Sequence, residues 1–217
     1  MAHRTAVRPR VVINAAMSLD GRIALSDGKP VRLSNEEDLR RVHILRAKAD
    51  AILVGIGTVL TDDPKLTVKS EYASGRNPLR IVLDSKGRTP GGANVLDQSA
   101  PTLIVTSEEN TRTFPGAEVA RIGKDEIDLD SLLDRLAARG IRVLLVEGGS
   151  TVIASFLRQG LADDLKVFVA SEVLGSPSAP TLAGSRRAKA AEDPVRLRLE
   201  RAAPLGDGVL LEYAVVR

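Results

Sequence analysis

The chain has 217 residues, 43% of them apolar, which suits one well-buried core better than two domains, and no cysteine, which excludes disulfides, thiolate nucleophiles and Cys-ligated zinc. The pI is near 9.4, yet 31 Lys and Arg stand against 28 Asp and Glu for a net charge of only +3, and five aromatics offer no stacking platform, so nucleic acid is not an expected partner. No apolar stretch approaches the roughly 18 residues of a membrane helix, so no membrane partner is expected and the protein is read as cytoplasmic.

Residues 1–9 read as a flexible tail on a single domain. Residues 11–16 form a short, nearly continuous apolar run, the mark of a strand buried on both faces. Ser34 followed by Glu37 has the spacing of a capping box, and Leu39, Val42, Leu45 and Ala49 then recur near helical spacing. Apolar runs return at 51–54, 79–83 and 102–105. Asp128 caps a second helix with the stripe Leu129, Leu132, Leu133, Leu136 and Ala137, stopped by Gly140.

A strand at 141–146 leads into a third helix that starts within Gly148-Gly149-Ser150-Thr151, buries Ile153, Phe156 and Leu157, and stops at Gly160. Another strand occupies 165–170. After residue 194 the pattern alternates, with Val195, Leu197 and Leu199 against Arg196, Arg198 and Glu200; residues 204–208 then turn the chain into a β-prone run at 209–216. This predicts a closing antiparallel hairpin on a largely parallel sheet. The segments 70–78 and 175–192 are long and rich in Gly, Ser, Pro and charge, as lids or surface loops are. The basic cluster Arg186-Arg187-Ala188-Lys189 reads as a solvated loop.

Three glycine-bearing segments sit at the exits of apolar runs: Ser18-Leu19-Asp20-Gly21-Arg22, Gly55-Ile56-Gly57-Thr58 with Asp62-Asp63-Pro64, and Glu147-Gly148-Gly149-Ser150. Open α/β sheets bind ligands at such exits. The only histidines, His3 and His43, are too few for a histidine metal site or a Ser-His-Asp triad, and no metal is expected. There is no P-loop, and Gly55-x-Gly57 lacks the third glycine of a dinucleotide fingerprint. What remains is an edge of backbone N–H groups and helix starts suited to phosphates, with a bound cofactor carrying the hard chemistry.

The segments Ser18-Leu19-Asp20-Gly21-Arg22, Leu45-Arg46-Ala47, Gly57-Thr58-Val59-Leu60 with Asp62-Asp63-Pro64, Arg80-Ile81-Val82-Leu83-Asp84-Ser85, Val146-Glu147-Gly148-Gly149 and Leu174-Gly175 together resemble the reductases of riboflavin biosynthesis from about Arg10 onward. The resemblance implies a dihydrofolate-reductase-like, three-layer α/β fold and NADPH (or NADH) as the reductant of a phosphorylated pyrimidine, whose ribosyl group becomes ribityl. With no zinc deaminase segment, the chain is similar to the stand-alone archaeal and fungal type, which acts on 2,5-diamino-6-ribosylamino-4(3H)-pyrimidinone 5′-phosphate. Action on the deaminated pyrimidine, on a dihydrofolate or pterin, or as a non-catalytic NADPH-binding module are the alternatives. The family also implies a homodimer.

Carried over residue by residue, the resemblance assigns cofactor contacts to Thr58 and Asp62, which otherwise read as helix caps. It assigns the 2′-phosphate cradle to Ser85, Lys86 and Arg88, otherwise a solvated turn. The pyrophosphate segment is Gly148, Gly149, Ser150 and Thr151, and Met17 faces the nicotinamide or lies in the core. Arg46, Leu66 and Lys69 match substrate positions, the two cations near the ribose phosphate. Glu147 matches a substrate contact and is the first catalytic candidate. Asp20 is the second, as a pyrimidine orienter or proton shuttle, or else simply closes its turn.

Overall fold

The computed structural model describes residues 8–26, 29, 31–184 and 194–216. The basic cluster 186–189, His3 and most of the expected tail lie outside these residues, as does the latter part of the 175–192 segment. Nine strands join one sheet in the order β5-β4-β3-β2-β6-β1-β7-β9-β8. In chain order they are β1 (Arg10–Ser18), β2 (Ala51–Gly55), β3 (Leu79–Leu83), β4 (Thr102–Thr106), β5 (Glu118–Arg121), β6 (Val143–Gly148), β7 (Asp164–Ala170), β8 (Leu197–Leu205) and β9 (Gly208–Val215). The first seven run parallel, and β9 and β8 close the sheet as an antiparallel hairpin, as the sequence predicts.

Helices α1 (Glu36–Lys48), α2 (Ile56–Asp62), α3 (Leu129–Ala138) and α4 (Ser150–Arg158) connect the strands. The continuous apolar runs follow from the period-2 alternation of side chains across a sheet covered on both faces. Val11, Ile13, Leu53, Ile81, Leu103, Leu144 and Val146 enter one core with Leu132, Leu133, Leu136, Ile153 and Phe156 of α3 and α4. Val12, Ile52, Val54, Val82, Ile104 and Leu145 enter the other, with Ala49, Ile56, Val59 and Phe114. The expected three layers are therefore present.

Two local features differ from the sequence reading, and a third is one that it left open. The N-cap of α1 is Asn35, one residue later than expected: its side chain accepts the Asp38 N–H at 2.8 Å, while the Ser34 hydroxyl donates to the Asp38 carboxylate at 2.6 Å. An amide can cap and donate at once, and Asn35 uses its second function on the hairpin turn, donating to Leu205 O at 2.8 Å and to Asp207 at 2.7 Å. Strand β5 is an unpredicted edge; its Glu-Val-Ala-Arg sequence carries too little apolar patterning to announce it. The 70–78 segment is docked on α1: Tyr72 stacks on His43, and a Cβ on Gly75 would lie 3.1 Å from that of Ala47.

Candidate functional site

All seven parallel strands end at one edge of the sheet. Between β2 and β6 the connections diverge, because β2 leads outward to β3 whereas β6 leads back past β1 to β7. This is the switch point at which open α/β sheets form a ligand crevice. Glycine at the β2 exit lets α4 approach, since a Cβ on Gly55 would lie 2.8 Å from Val152 Cγ2, whereas Cβ atoms on Gly148 and Gly149 would make only ordinary contacts with Thr58 Oγ1 at 3.8 and 3.4 Å. Gly148 also has φ +131°, which side-chain-bearing residues rarely adopt, and the Gly148–Gly149 peptide is cis.

Glu147 is the extra residue where the β2–β6 register shifts, Leu53 pairing with Val146 and Val54 with Gly148. Such a bulge re-aims a side chain, and here it turns Glu147 toward α1. Arg46 meets it in a fork, with Nε to Oε1 at 3.0 Å and Nη2 to Oε2 at 2.6 Å, while Nη1 donates to Thr67 O at 3.1 Å. Both side chains are largely buried, 17% and 9% exposed. Burial opposes the Arg46 charge, but the charge and hydrogen bond of Glu147 outweigh it and hold the guanidinium above its ordinary pKa. Three of the five guanidinium N–H groups are used, which leaves two for a ligand.

Three residues before Arg46 on the same helix, His43 Nδ1 accepts the Lys69 backbone N–H at 3.2 Å. Its ring stacks on Tyr72 with centroids 5.0 Å apart. Burial, reinforced by the Arg46 cation, pushes His43 below the usual imidazole range. Lys69 Nζ lies 5.6 Å from the Tyr72 ring centroid and 3.6 Å from Glu71, and remains well exposed. Leu66, buried with φ +53°, leads into this segment. Arg46, Leu66, Lys69 and Glu147 are thus brought to one place.

Beside this cluster runs a polar chain on the α1 face of β1. Asn14 Oδ1 accepts from Arg41 Nη2 at 2.7 Å, and Arg41 Nε donates to the almost fully buried Asp38 at 2.8 Å. Sequence reading missed His43, Asn14 and Arg41. Helical spacing was the available signal for the first, since residues three apart share a face; a polar residue inside an apolar strand was the signal for Asn14.

Of the expected cofactor residues, Thr58 stands at the crevice and Asp62 is exposed at the end of α2. Ser85, Lys86 and Arg88 lie at the β3 exit, in a turn where Asp84 accepts from both the N–H and the hydroxyl of Thr89 at 2.7 Å. Lys86 and Arg88 are exposed and make no salt bridge among the described residues. Met17, next to Val169 of β7, packs into the core shared with α4. Thr151 is exposed on the first turn of α4.

Ser150 is engaged by the chain after β7: its hydroxyl contacts Thr181 O and Gly184 O, both at 2.6 Å, and accepts Gly184 N–H at 2.7 Å. Asp20 clasps the same segment, accepting Leu174 N–H at 3.0 Å, Gly175 N–H at 2.9 Å and the Ser18 hydroxyl at 2.6 Å. The Ser18 bond and these two backbone N–H groups lower its pKa to about 2. Asp20 is therefore a carboxylate at neutral pH with both oxygens occupied. Among the described residues no group of His, Asp and Glu could hold a metal ion, and no helix is long and apolar enough to cross a membrane.

Residues 9–211 match the family described as the RibD C-terminal domain. The chain is 45% identical over 215 residues to the 2,5-diamino-6-ribosylamino-4(3H)-pyrimidinone 5′-phosphate reductase of Methanothermobacter thermautotrophicus, covering 96% of this chain and 99% of that one. Its fold resembles a deaminase/reductase from Thermotoga maritima with TM-score 0.81 and 30% identity, covering 96% of this chain and 57% of the longer one. It also resembles the riboflavin biosynthesis reductase of Saccharomyces cerevisiae, with TM-score 0.77 and 25% identity over 100% of this chain and 93% of that one.

Proposed function

The chain belongs to the RibD C-terminal domain family, and from that premise we propose that residues 1–217 form one cytoplasmic reductase domain that uses NADPH to convert the ribosyl group of 2,5-diamino-6-ribosylamino-4(3H)-pyrimidinone 5′-phosphate to ribityl in riboflavin biosynthesis. The observation that carries this reading is the end-to-end match to the Methanothermobacter reductase.

The residues at the switch point fit a nicotinamide dinucleotide. The Gly148-Gly149 entry to α4 leaves, beside Thr58, space that a Cβ would fill, and its backbone N–H groups and helix dipole suit a pyrophosphate. Ser150 and Thr151 open that helix, Asp62 at the far end of α2 accepts from a ribose hydroxyl, Ser85 adds a hydroxyl and Lys86 and Arg88 add charge for a 2′-phosphate at the β3 exit, and Met17 flanks the nicotinamide end. When bound, the cofactor supplies the hydride that reduces C1′ of the ring-opened ribosylamine.

The protein's own part is placement and charge. Lys69 and the two remaining Arg46 donors bind the substrate phosphate, with Leu66 shaping the segment that carries Lys69. Glu147, held by Arg46, accepts hydrogen bonds from the sugar hydroxyls or amine and fixes C1′. Asp20 acts on the cofactor end by holding the 174–175 segment against the β1 exit. A homodimer built on the hairpin accounts for the exposure of Leu197 and Leu199, 39% and 54%, on its outer strand; light scattering showing a monomer at assay concentration removes that part of the reading.

The test is NADPH oxidation by the purified protein with the diamino pyrimidine, its deaminated counterpart and dihydrofolate in parallel, with products identified by mass. A two-hydrogen gain on the diamino compound is expected. Turnover of the deaminated compound alone would reassign the substrate, and turnover of dihydrofolate alone would overturn the proposal.

A further inference from the structure

We propose that His43 is a positioning residue for the substrate phosphate: its Nδ1 holds the Lys69 backbone N–H and so fixes the segment that presents Lys69 beside Arg46. The inference rests on the proposed function for the identity of the ligand, but its geometry stands independently. The segment after Leu66 is anchored to α1 at two points, by Arg46 Nη1 on Thr67 O at 3.1 Å and by the Lys69 N–H on His43 at 3.2 Å. It then turns, with the Tyr72 and Ala73 N–H groups both donating to Lys69 O at 3.0 and 3.1 Å, so that the Tyr72 ring folds back over His43. Asn77 Oδ1 supports the segment from behind by accepting the Val68 N–H at 2.8 Å.

An imidazole nitrogen accepts a hydrogen bond only while unprotonated, so this anchor requires the tautomer with its proton on Nε2. Protonation of Nδ1 replaces the acceptor with a donor that faces the Lys69 N–H, and the segment loses its second tether. Its surroundings favour the neutral form on balance: burial first, then Arg46 on α1 and Lys69 on the segment oppose a positive charge, while Glu147 of β6 and Glu71 favour one. Tyr72, the stacked partner, is itself tied to Glu36 at the start of α1. The Lys69 backbone is thereby tethered to the helix that carries Arg46, while its ammonium stays exposed, 3.6 Å from Glu71 and over the Tyr72 ring.

The test compares wild type with His43→Asn, whose Oδ1 occupies the place of Nδ1 but does not titrate, and His43→Leu, which has no acceptor. KM and kcat for the diamino pyrimidine phosphate are measured from pH 5 to pH 8, together with the backbone amide chemical shift of Lys69 in the free protein. For wild type, KM is expected to rise as pH falls through the His43 titration while kcat holds, and the Lys69 amide shift should follow the same curve. His43→Asn should keep KM within about twofold of wild type at pH 8 and lose the part of the acid-side rise not due to the substrate phosphate. His43→Leu should show a KM about three- to tenfold above that of wild type at pH 8, the loss of one hydrogen bond, with the two converging as wild type loses its acceptor on the acid side. A Lys69 amide insensitive to His43 titration, or equal KM in the Asn and Leu variants, would overturn the proposal. A Lys69 amide that titrates in a protein with no turnover of the pyrimidine would keep the positioning role and reject the proposed function instead.

Discussion

Arg46 and Glu147 lie 101 positions apart in sequence and carry different expected roles, one toward phosphate and one toward the reacting sugar. The structure makes them a single unit. Truncating either member leaves the other charge largely buried and unmatched, which costs far more than an exposed pair would. Glu147→Gln keeps the shape but removes the charge. It is expected to lower kcat by about 100-fold, within the range for a group that orients or moves protons at the reacting centre. Arg46→Ala, Glu147→Ala and the double variant should depart from additivity by about 0.5–3 kcal/mol in urea unfolding; strict additivity would show that the two act separately. Neither residue's partner was legible in sequence, because a contact made by a bulge and a helix crossover has no local signature.

At the same scale, Lys86 and Arg88 allow cofactor choice to be tested without disturbing the core. Both are exposed in the β3 exit turn. The double replacement by Ala should raise KM for NADPH about tenfold or more while leaving KM for NADH nearly unchanged, since charge-assisted bonds to a phosphate contribute roughly twice what neutral ones do. Equal effects on both cofactors would move the 2′-phosphate site elsewhere.

Among the elements, the strands buried on both faces and the two helices with apolar stripes were legible because each follows a single period. The β5 edge was not, and neither was the one-residue shift in the α1 cap, since Ser34 and Asn35 are both competent caps and only the hairpin turn beneath Asn35 decides between them. The strand-exit glycines were legible as a site but not in their reason. Gly55 has an ordinary φ of −83°, so its requirement is space for α4 rather than backbone freedom. Gly55→Ala would place a methyl 2.8 Å from Val152 Cγ2, and the branched valine has no rotamer freedom with which to retreat. Expected outcomes are a loss of about 1–3 kcal/mol and weaker cofactor binding, with much of the stability recovered in Gly55→Ala/Val152→Ala. No recovery in the double variant would show that the methyl clashes elsewhere.

The segment after β7 is a second element whose behaviour was open in sequence. Asp20 holds it through Leu174 and Gly175, and its pKa is lowered to about 2. A carboxylate lowered on folding stabilises the folded form above its unfolded value near 4, and that contribution disappears as pH falls toward 2. Amide exchange at Leu174 and Gly175, corrected for intrinsic pH dependence, should therefore accelerate between about pH 4 and pH 2 in wild type. In Asp20→Ala it should be fast at neutral pH already.

For the molecule as a whole, one buried cation links layers that the sheet alone does not join. Arg80 of β3 is completely buried, yet its sequence context of Leu79-Arg80-Ile81-Val82 reads as plain strand. Its guanidinium donates to Thr102 Oγ1 at 2.9 Å on the neighbouring strand, to Asp97 Oδ1 and O at 2.7 and 2.6 Å, and to Lys65 O at 3.3 Å in the segment leading to Leu66 and Lys69. A guanidinium spreads five N–H donors over three nitrogens of a rigid plane, whereas an ammonium carries three on one atom. Arg80→Met removes the donors from the buried Thr102 hydroxyl and from the partly buried Asp97 and Lys65 acceptors, and Arg80→Lys satisfies only some of them. Urea unfolding should therefore show a loss of about 3–5 kcal/mol for Met and a smaller one for Lys. Because Lys65 is part of the network, the surviving folded enzyme should also show a raised KM for the pyrimidine phosphate with little change in kcat. A stability loss with no change in KM would confine Arg80 to the core and separate the scaffold from the substrate segment it is bonded to.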